Sequence, residues 1–348
     1  MIRDLDRLVE SVQANCNVAD ARHAADLTLC TYLLAMREFY RWERGIAFSE
    51  QPSRNDLGAW LVEREALWES LDGRDFQELP VDGRRYEPFA VGAINEALTP
   101  HGLVYSAGLG HLGRAQFHLG ELEREERRGE ARILVGGREY ARDLAAAPAA
   151  LLDATIYVRQ EALRSWLWEK FETWGVHKPD GALRAVLKAY GFDVDPVAAL
   201  EHMTNAETET LILHELGELE AGRRLGGEWE RMCVRVASRR TELLLRAARD
   251  NLADCLVTLP ALIDRQTETS LHFWFATFEG VRRELFPSLA LAYAAWRDGD
   301  PRALPDAVDA GCEHWSRICQ RLLALAVDHE EGADRDIDRL LGAPDARL

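Results

Sequence analysis

Lysine is nearly absent from this chain of 348 residues. Only Lys170, Lys178 and Lys188 occur among 42 basic residues, so arginine carries almost all of the positive charge. The 59 acidic residues outnumber the basic ones and give a formal net charge of −17. Proteins that bind nucleic acids or anionic membranes usually present a basic surface to them. The charge therefore argues against a nucleic acid or a membrane as the main partner.

Long apolar runs and closely paired cysteines are also missing. No stretch approaches the length of uncharged apolar sequence that a transmembrane helix needs, so we expect none. The first residues, MIRDLDRLVE, are acidic where a secretion signal would be positive and then apolar. None of the six cysteines belongs to a CxxC pair, which favours reduced thiols in a helical core. Together these absences predict a cytoplasmic protein.

Helical periodicity is present on both sides of a shorter strand-rich region. Residues 1–100 and 161–348 have the apolar spacing of helices, whereas residues 101–160 contain β-branched and aromatic runs between glycine-rich turns. We predict a mainly α-helical bundle with a small antiparallel β subdomain, formed as a meander or hairpins. No linker separates these segments, so we expect one integrated domain. The predicted helices cover residues 2–14, 21–43, 56–71, 89–98, 161–174, 180–191, 206–222, 228–258, 268–298 and 311–328.

Two of these helices lead to more specific expectations. The middle of residues 21–43 is apolar on almost every side, which is typical of a central helix. Pro287 lies inside residues 268–298 and should break or kink that helix, because proline lacks the amide hydrogen that a helix requires.

Three glycines in the strand-rich region match a nucleotide-binding spacing. Gly108, Gly110 and Gly113 fit GxGxxG and follow a predicted strand. A dinucleotide site also needs a helix directly after the glycines, because its amino-terminal amides hold the pyrophosphate. The next segment, RAQFHLGEL, instead has strand character. We therefore predict that these glycines lie in a hairpin turn and that no nucleotide binds there.

The segment ETETLILHELGELEAG, residues 207–222, carries the clearest chemical pattern. His214 and Glu218 are four residues apart, so both lie on one face of a helix and could chelate one ion. Glu207 lies two turns earlier on the same face. The zinc-protease motif HExxH is not matched, because Glu218 stands where that motif has its second histidine. A salt-bridged exposed helix face is the alternative interpretation.

Further charged residues occur at helical spacing within other apolar segments. Buried charges without partners are costly, so such positions need internal ion pairs or a metal ion. Helical bundles that hold two metal ions take several carboxylates and two histidines from facing helices. We expect the charged stripes to converge on one site that includes His214 and His272. The additional pairs are Glu242 with Arg246, Glu268 with His272, and Glu38 with Arg41.

Two resemblances accompany these patterns. The spacings from Glu207 to His214 and from Glu268 to His272 are similar to ligand spacings of heme-oxygenase-like di-iron oxidases, although the later Asp/His spacing of that family is not reproduced. That resemblance implies a di-iron site in a helical bundle. Nearly the whole chain also resembles a family of bacterial hypothetical proteins, which implies a bacterial cytoplasmic origin and no mechanism. The segments that carry this second resemblance are DARHAADLTLCTYLLAMREFYRWERG, LVYSAGLG, ILHELGE, RDNLADCLVTLP and SLHFWFATFEG.

These patterns predict a metal-dependent enzyme, an oxidase or oxygenase with one or two metal ions. Carboxylates with two imidazoles suit iron or manganese, and zinc to a lesser degree. Neighbouring arginines, Arg246 and Arg41, would orient the carboxylates. The predicted direct ligands are His214, Glu218, Glu242 and His272, and the predicted further ligands or supporting carboxylates are Glu207, Glu268 and Glu38.

Two other functions fit the same sequence. The first is a non-catalytic scaffold or partner-binding protein whose polar stripes are internal salt bridges. The second is a metal-free helical enzyme or sensor that binds a small organic ligand beside its aromatic residues. In each enzyme or sensor hypothesis the expected partner is a small-molecule substrate or ligand, and homo-oligomerisation is left open.

Overall fold

A computed structural model describes residues 4–110, 113–328 and 333–348 of the chain. Two compact units are present, Met1–Glu172 and Thr173–Leu348. The division falls inside the helix Gln160–His177. Each unit has its own clusters of buried apolar side chains. The strand-rich region therefore belongs to the same compact unit as the N-terminal helices.

The described part of the first unit contains five α-helices, one of which shows which residues start and stop a helix here. They are α1 (Leu5–His23), α2 (Leu29–Arg44), α3 (Arg54–Leu71), α4 (Val91–Leu98) and α5 (Gln160–His177). Thr28 accepts a hydrogen bond from the Thr31 amide at the start of α2, and Gly45 ends that helix with a φ of 63°. Both are favoured because they satisfy backbone groups that a helix end leaves without partners.

The predicted helix over residues 21–43 is present as α2 from Leu29 onward, but its predicted continuity from residue 21 and its burial on almost every side are wrong. A 3-10 turn over Ala24–Asp26 separates α1 from α2. Leu29 and Leu33 in the first half of α2 are 72% and 48% exposed. An apolar sequence indicates that a helix can be buried, but not which of its faces a neighbouring element covers.

The strands of the first unit form one small sheet and one large sheet. They are β1 (Leu79–Val81), β2 (Arg84–Tyr86), β3 (Leu103–Leu109), β4 (Ala115–Arg128), β5 (Ala131–Arg142), β6 (Ala149–Leu152) and β7 (Thr155–Arg159). β1 and β2 pair with each other, and the other five strands have the order β3-β4-β5-β7-β6. The larger sheet curls into a half-barrel.

The prediction of a small antiparallel meander is corrected by the pairing of the last strands. β6 forms at the edge of the sheet, and the following turn returns β7 into the position between β6 and β5. β7 therefore runs parallel to β5, with Ile133 opposite Ile156. Local strand and turn signals do not specify which earlier strand the last one joins, so the mixed sheet was not foreseeable from them.

The glycine-rich segment joins β3 to β4, and a strand follows it as predicted. Gly113 has a φ of 69°, which suits a turn. Gly108, however, lies within β3 opposite Gln116, so its predicted place in the turn is wrong. Residues 111 and 112, between these glycines, lie outside the described residues.

The second unit is built from helices throughout its described part. They are α6 (Ala182–Tyr190), α7 (Pro196–Leu225), α8 (Gly227–Arg235), α9 (Arg239–Ala253), α10 (Leu259–Asp264), α11 (Glu268–Thr277), α12 (Gly280–Leu285), α13 (Pro287–Arg297), α14 (Ala303–Asp328) and α15 (Ala333–Gly342). A π-helical turn, Asp254–Thr258, connects α9 to α10. The predicted break at Pro287 is confirmed, because α13 begins at that residue. The prediction of a mainly α-helical protein is confirmed as well.

The core of the second unit is rich in large aromatic side chains. Trp315 and Phe286 are fully buried and pack at a centroid distance of 5.8 Å. All six cysteines are free thiols, as expected, although Cys30 is exposed and does not belong to a core. Within the described ranges, no helix combines the length and the apolar content that crossing a membrane would require.

Candidate functional site

The predicted pair His214 and Glu218 lies together on α7. The distance from His214 Nε2 to Glu218 Oε1 is 3.5 Å, and His214 Nδ1 is 2.9 Å from Oδ1 of Asp254. Asp254 is the first residue of the π-helical turn. The sequence places Asp254 one turn beyond Glu242, Arg246 and Asp250, which follow one another at four-residue spacing. Nothing local indicates that Asp254 faces His214.

A glycine allows α7 to approach the end of α9 closely enough for this contact. A Cβ atom at Gly217 would lie 2.6 Å from the carbonyl oxygen of Ala253, the residue directly before Asp254. The π-helical turn starts at the same point of the chain. Such turns occur often at functional sites. The close approach and the turn together position Asp254 beside His214.

Two arginines and a tryptophan complete the surroundings of these carboxylates. Arg249 Nη2 is 2.8 Å from Glu218 Oε2, and Arg282 Nη2 donates to Asp254 Oδ2. The indole Nε1 of Trp274 donates to Asp254 Oδ1 at 3.2 Å. Asp254 itself is 1% exposed. We refer to His214, Glu218, Arg249, Asp254, Trp274 and Arg282 as the His214 network.

The His214 network holds its members in charged forms. Burial lowers the pKa of His214, but Asp254 and Glu218 outweigh that effect and raise it well above its ordinary value. Burial raises the pKa of Asp254, but Arg282 and His214 outweigh it and lower it to about 2. For Glu218 the hydrogen bond from His214 and the charge of Arg249 likewise outweigh burial, which lowers its pKa to about 2. Glu215 differs, because burial and the Glu218 charge raise its pKa to about 8.

The donor set of the His214 network fits an ion-pair network better than a metal centre. A metal ligand must offer an imidazole lone pair, whereas each ring nitrogen of His214 is directed at a carboxylate. The carboxylates are in turn neutralised by Arg249 and Arg282. Within the described ranges, no group of three or more His, Cys, Asp or Glu side chains has an arrangement that could hold a metal ion.

Two other predicted ligands, Glu242 and Glu38, have arginine partners of their own. Glu242 pairs with Arg246 on α9, 3.0 Å apart. Glu38 belongs to the first unit, where Arg37 and Arg41 contact its carboxylate at 2.8 Å and 3.4 Å. Both carboxylates therefore have arginine partners, as the salt-bridge interpretation of the stripes predicts.

The two predicted histidines have different neighbours. His272 lies on α11, where its Nε2 is 3.7 Å from Glu268 Oε1 and its Nδ1 is 2.8 Å from the Tyr293 hydroxyl. In the part of the chain that the structure describes, no hydrogen bond or ion pair joins His272 to His214. The structure thus brings together His214 with Glu218 and His272 with Glu268, but shows no contact between the two pairs.

His272 lies at an open cleft of about 690 Å³ in the second unit. Side chains at the amino end of α6, along α6, and on α11 and α13 line it. We refer to it as the basic cleft, and its charged or titratable lining residues are Asp180, Arg184, Lys188, Glu268, His272 and Arg297. Arg184 pairs with Asp180 at 2.5 Å, whereas Lys188 and Arg297 have no ion pair within the described ranges. The cleft therefore has two cations available to a ligand.

The hydrogen bonds of His272 favour one arrangement of its ring. Burial lowers the pKa of His272, so the imidazole is neutral at pH 7. Its Nε2 faces the Glu268 carboxylate, and a carboxylate attracts an N–H group. We infer that Nε2 carries the proton and that the Tyr293 hydroxyl donates to Nδ1. In this form His272 presents a hydrogen-bond donor on its Nε2 side.

Glu207, a further predicted ligand, instead joins the helices that form the basic cleft. It is fully buried, and its oxygens accept hydrogen bonds from Tyr190 of α6 at 2.6 Å, Thr210 of α7 at 2.6 Å and Ser270 of α11 at 3.1 Å. Burial raises its pKa, although these three hydrogen bonds oppose that rise. Glu207 thereby fixes α6 relative to α11.

Comparison with known protein families gives a match for each half of the chain. Residues 7–159 match the model described as "Family of unknown function (DUF6866) N-terminal domain", and residues 164–344 match the corresponding C-terminal domain. Neither a curated protein nor a solved structure matches the chain. The resemblance to an uncharacterised family is consistent with these matches, whereas none of them supports the resemblance to heme-oxygenase-like di-iron oxidases.

Proposed function

The chain belongs to the family of unknown function DUF6866, and we propose that its second unit binds a small organic anion in the basic cleft. The observation that carries this proposal is the sign of the charges there. Arg184, Lys188 and Arg297 outnumber Asp180 and Glu268, although the chain as a whole has a net charge of −17. A local reversal of sign attracts anions to one place on an otherwise acidic protein.

The size and the lining of the basic cleft suit a metabolite-sized ligand. Ligand sites commonly have volumes of about 300–1,000 Å³, and this cleft has about 690 Å³. Glu268 and Thr269 at the amino end of α11 also line it, and helix amino ends favour negative groups.

Each polar group in the basic cleft has a distinct role in this proposal. Lys188 and Arg297 bind the anionic oxygens of the ligand by charge-assisted hydrogen bonds. His272 donates its Nε2–H to a further ligand oxygen, which takes the place of the exposed Glu268 carboxylate that lies 3.7 Å from Nε2. Tyr293 holds the imidazole in the required orientation. Glu207 is a positioning residue, because it contacts both α6 and α11 but does not line the cleft.

Calorimetric titration of the full chain tests the proposal. The probes are succinate, citrate, inorganic phosphate and pyrophosphate, with glycerol as a neutral control, at low ionic strength. We expect saturable binding of at least one anion, and the comparison of carboxylates with phosphates shows which oxygen chemistry the cleft prefers. Lys188→Gln and Arg297→Gln should each weaken that binding about tenfold, since a hydrogen bond to a charged group contributes about 1.5–3 kcal/mol.

A matched variant controls for the loss of one positive charge. Arg302→Gln removes an exposed arginine of the same unit that pairs with Asp306 and does not line the cleft. It should leave the affinity within about twofold, because exposed charges are screened by solvent and salt. Equal effects of Lys188→Gln and Arg302→Gln, or no saturable binding by any anion, would refute the proposal.

The metal-dependent oxidase or oxygenase is a second proposal, and it rests on His214 and its two neighbouring carboxylates. The short distances from His214 to Glu218 and Asp254 support a metal site. The pairing of these two carboxylates with Arg249 and Arg282 argues against it, because the arginines already neutralise them. Elemental analysis of protein purified without chelator distinguishes a metal site from an internal ion-pair network at His214. Near-stoichiometric iron or manganese would support the enzyme. Repeated absence of both, also after incubation with Fe(II) or Mn(II), would favour the internal ion-pair interpretation.

A further inference from the structure

Glu268 is a carboxylate in the lining of the basic cleft that has no cationic partner. Its contact there is with the neutral imidazole of His272, at 3.7 Å from Oε1 to Nε2. That distance is longer than the roughly 2.7–3.2 Å of an N–H···O hydrogen bond. Within the described ranges no arginine or lysine forms an ion pair with Glu268, and its side chain is 73% exposed. A ligand can therefore reach this carboxylate.

The other acidic residue of the basic cleft is already neutralised. Asp180 pairs with Arg184 at 2.5 Å, four residues apart along the chain. Each of these two charges therefore has its partner before a ligand binds. The charges that remain for a ligand are the two cations Lys188 and Arg297 and the single anion Glu268.

These three charges come from three different helices. Lys188 lies on α6, Glu268 begins α11, and Arg297 ends α13. In the part of the chain that the structure describes, no ion pair joins any two of them, although all three line the same cleft of about 690 Å³. The arrangement leaves space between the charges, so a ligand can contact all three.

We propose that the ligand of the basic cleft is an amino dicarboxylate, a small molecule with two carboxylates and one ammonium group, such as an acidic amino acid. The inference rests on the proposed binding of an organic anion in this cleft. Lys188 and Arg297 each bind one carboxylate, and Glu268 binds the ammonium. The two positive charges and one negative charge of the cleft are matched one for one by the opposite charges of the ligand.

The position of His272 fits the same arrangement. A ligand carboxylate that accepts the Nε2–H of His272 takes the place of the Glu268 carboxylate near that nitrogen. Without an ammonium group on the ligand, Glu268 would then be a like charge beside a carboxylate, which is unfavourable. An ammonium group gives Glu268 a partner of opposite charge. The cleft thus disfavours a plain dicarboxylate and favours one that also carries an amine.

General attraction between charges predicts the opposite preference. Three basic and two acidic side chains give the lining of the cleft a net charge of +1. Succinate and malate are dianions at neutral pH, whereas aspartate, whose ammonium offsets one carboxylate, is a monoanion. Attraction to a positively charged cleft alone would make aspartate the weakest of the three ligands. Pairing with Glu268 should make it the tightest.

Calorimetric titration of the full chain with succinate, malate and L-aspartate, at pH 7 and low ionic strength, tests the inference. The three ligands share a four-carbon dicarboxylate and differ in carrying a hydrogen, a hydroxyl or an ammonium at one carbon. We expect aspartate to bind about threefold to fivefold more tightly than either of the others. An ion pair with an exposed carboxylate changes an equilibrium constant by up to about fivefold.

Glu268→Gln should reverse this order of affinities. The variant removes the partner of the ammonium, so aspartate should bind about threefold more weakly. It also removes a like charge beside the dianions, so succinate and malate should bind as tightly as before or up to about twofold more tightly. Because Glu268 is exposed, the variant should fold.

Glu228→Gln is the matched control for the loss of one negative charge. Glu228 is an exposed glutamate of the same unit that pairs with Arg231 and does not line the basic cleft. This variant should leave the ratio of aspartate to succinate affinity unchanged. A ratio that responds equally to Glu228→Gln and Glu268→Gln would overturn the assignment of the ammonium to Glu268.

The comparison of ligands separates failure of this inference from failure of anion binding. Binding of succinate and malate with no tighter binding of aspartate would overturn the amino dicarboxylate and leave the basic cleft as an anion site. An aspartate preference that persists in Glu268→Gln would likewise overturn the role of Glu268. Absence of saturable binding by all three ligands and by the other anions would refute both proposals.

Discussion

Gly217→Ala should destabilise the second unit, although alanine is the better helix-forming residue. In a helix interior this change is favourable by about 0.8–1 kcal/mol. At Gly217, however, the new methyl group would lie 2.6 Å from the Ala253 carbonyl oxygen and 3.0 Å from its carbon. Both are backbone atoms, so no side chain can rotate away. Ordinary contact begins near 3.4 Å, and α7 and α9 would have to separate by about 0.8 Å.

The expected loss of stability in Gly217→Ala combines two unfavourable contributions to the free energy of unfolding. Overpacking of this kind typically costs about 1–3 kcal/mol. Separating the helices also lengthens the 2.9 Å contact between His214 and Asp254, and a hydrogen bond between charged groups contributes about 1.5–3 kcal/mol. After subtraction of the helix-propensity gain of about 0.8–1 kcal/mol, we expect a net loss of about 1.5–5 kcal/mol in the free energy of unfolding.

Gly222→Ala is the matched control, because it makes the same change on the same helix. A Cβ atom at Gly222 meets no atom within 4 Å, so this variant should be stabilised by up to about 1 kcal/mol. Urea unfolding followed by circular dichroism and tryptophan fluorescence measures both effects. The reasoning fails if Gly217→Ala shifts the unfolding midpoint in the same direction as Gly222→Ala.

Two further predictions concern the ionisation of Asp254, which belongs to the His214 network, and of Glu215, which lies beside it. Because the folded pKa of Glu215 is about 8 and its ordinary value is 4.5, the folded state retains a proton that the unfolded state has released, so stability should fall as pH rises from about 4.5 to 8. Glu215→Gln should lack this loss, and urea midpoints that keep a constant difference between wild type and variant from pH 5 to pH 8 would contradict the assignment. Asp254→Asn should cost about 3 kcal/mol, since it leaves Arg282 without its buried partner, and should lower the pKa of His214 in an NMR titration. Asp306→Asn, at an exposed position, is the control and should change stability by less than about 0.5 kcal/mol. An unchanged His214 pKa in Asp254→Asn would show that Asp254 does not stabilise the protonated imidazole.

The local elements of the fold could be predicted from the sequence, because their causes are local. Apolar periodicity indicated helices on both sides of the strand-rich region, and Pro287 marked the start of α13 because proline cannot continue a helix. The strand that follows Gly113 was also predicted, from the alternation in RAQFHLGEL. Each of these inferences uses residues within one or two turns of each other.

The candidate site was predictable only in part. His214 and Glu218 share a helix, so their spacing alone places them together. Asp254 belongs to another element, and its approach to His214 depends on the π-helical turn and on Gly217 facing Ala253. The spacing of Glu268 and His272 likewise indicated a pair, but gave no sign of the cations on α6 and α13 that surround it.

The sequence by itself determined the helical class, the main helix positions, the excess of negative charge and the i,i+4 pairs, because these depend on composition and on neighbours along the chain. Only the tertiary structure decided which charges meet. It placed Asp254 and Arg282 at His214, gathered Lys188 and Arg297 around His272, and inserted β7 beside β5. The physical reason is that buried charges select partners across helices and strands, where separation along the chain carries no information about distance in space.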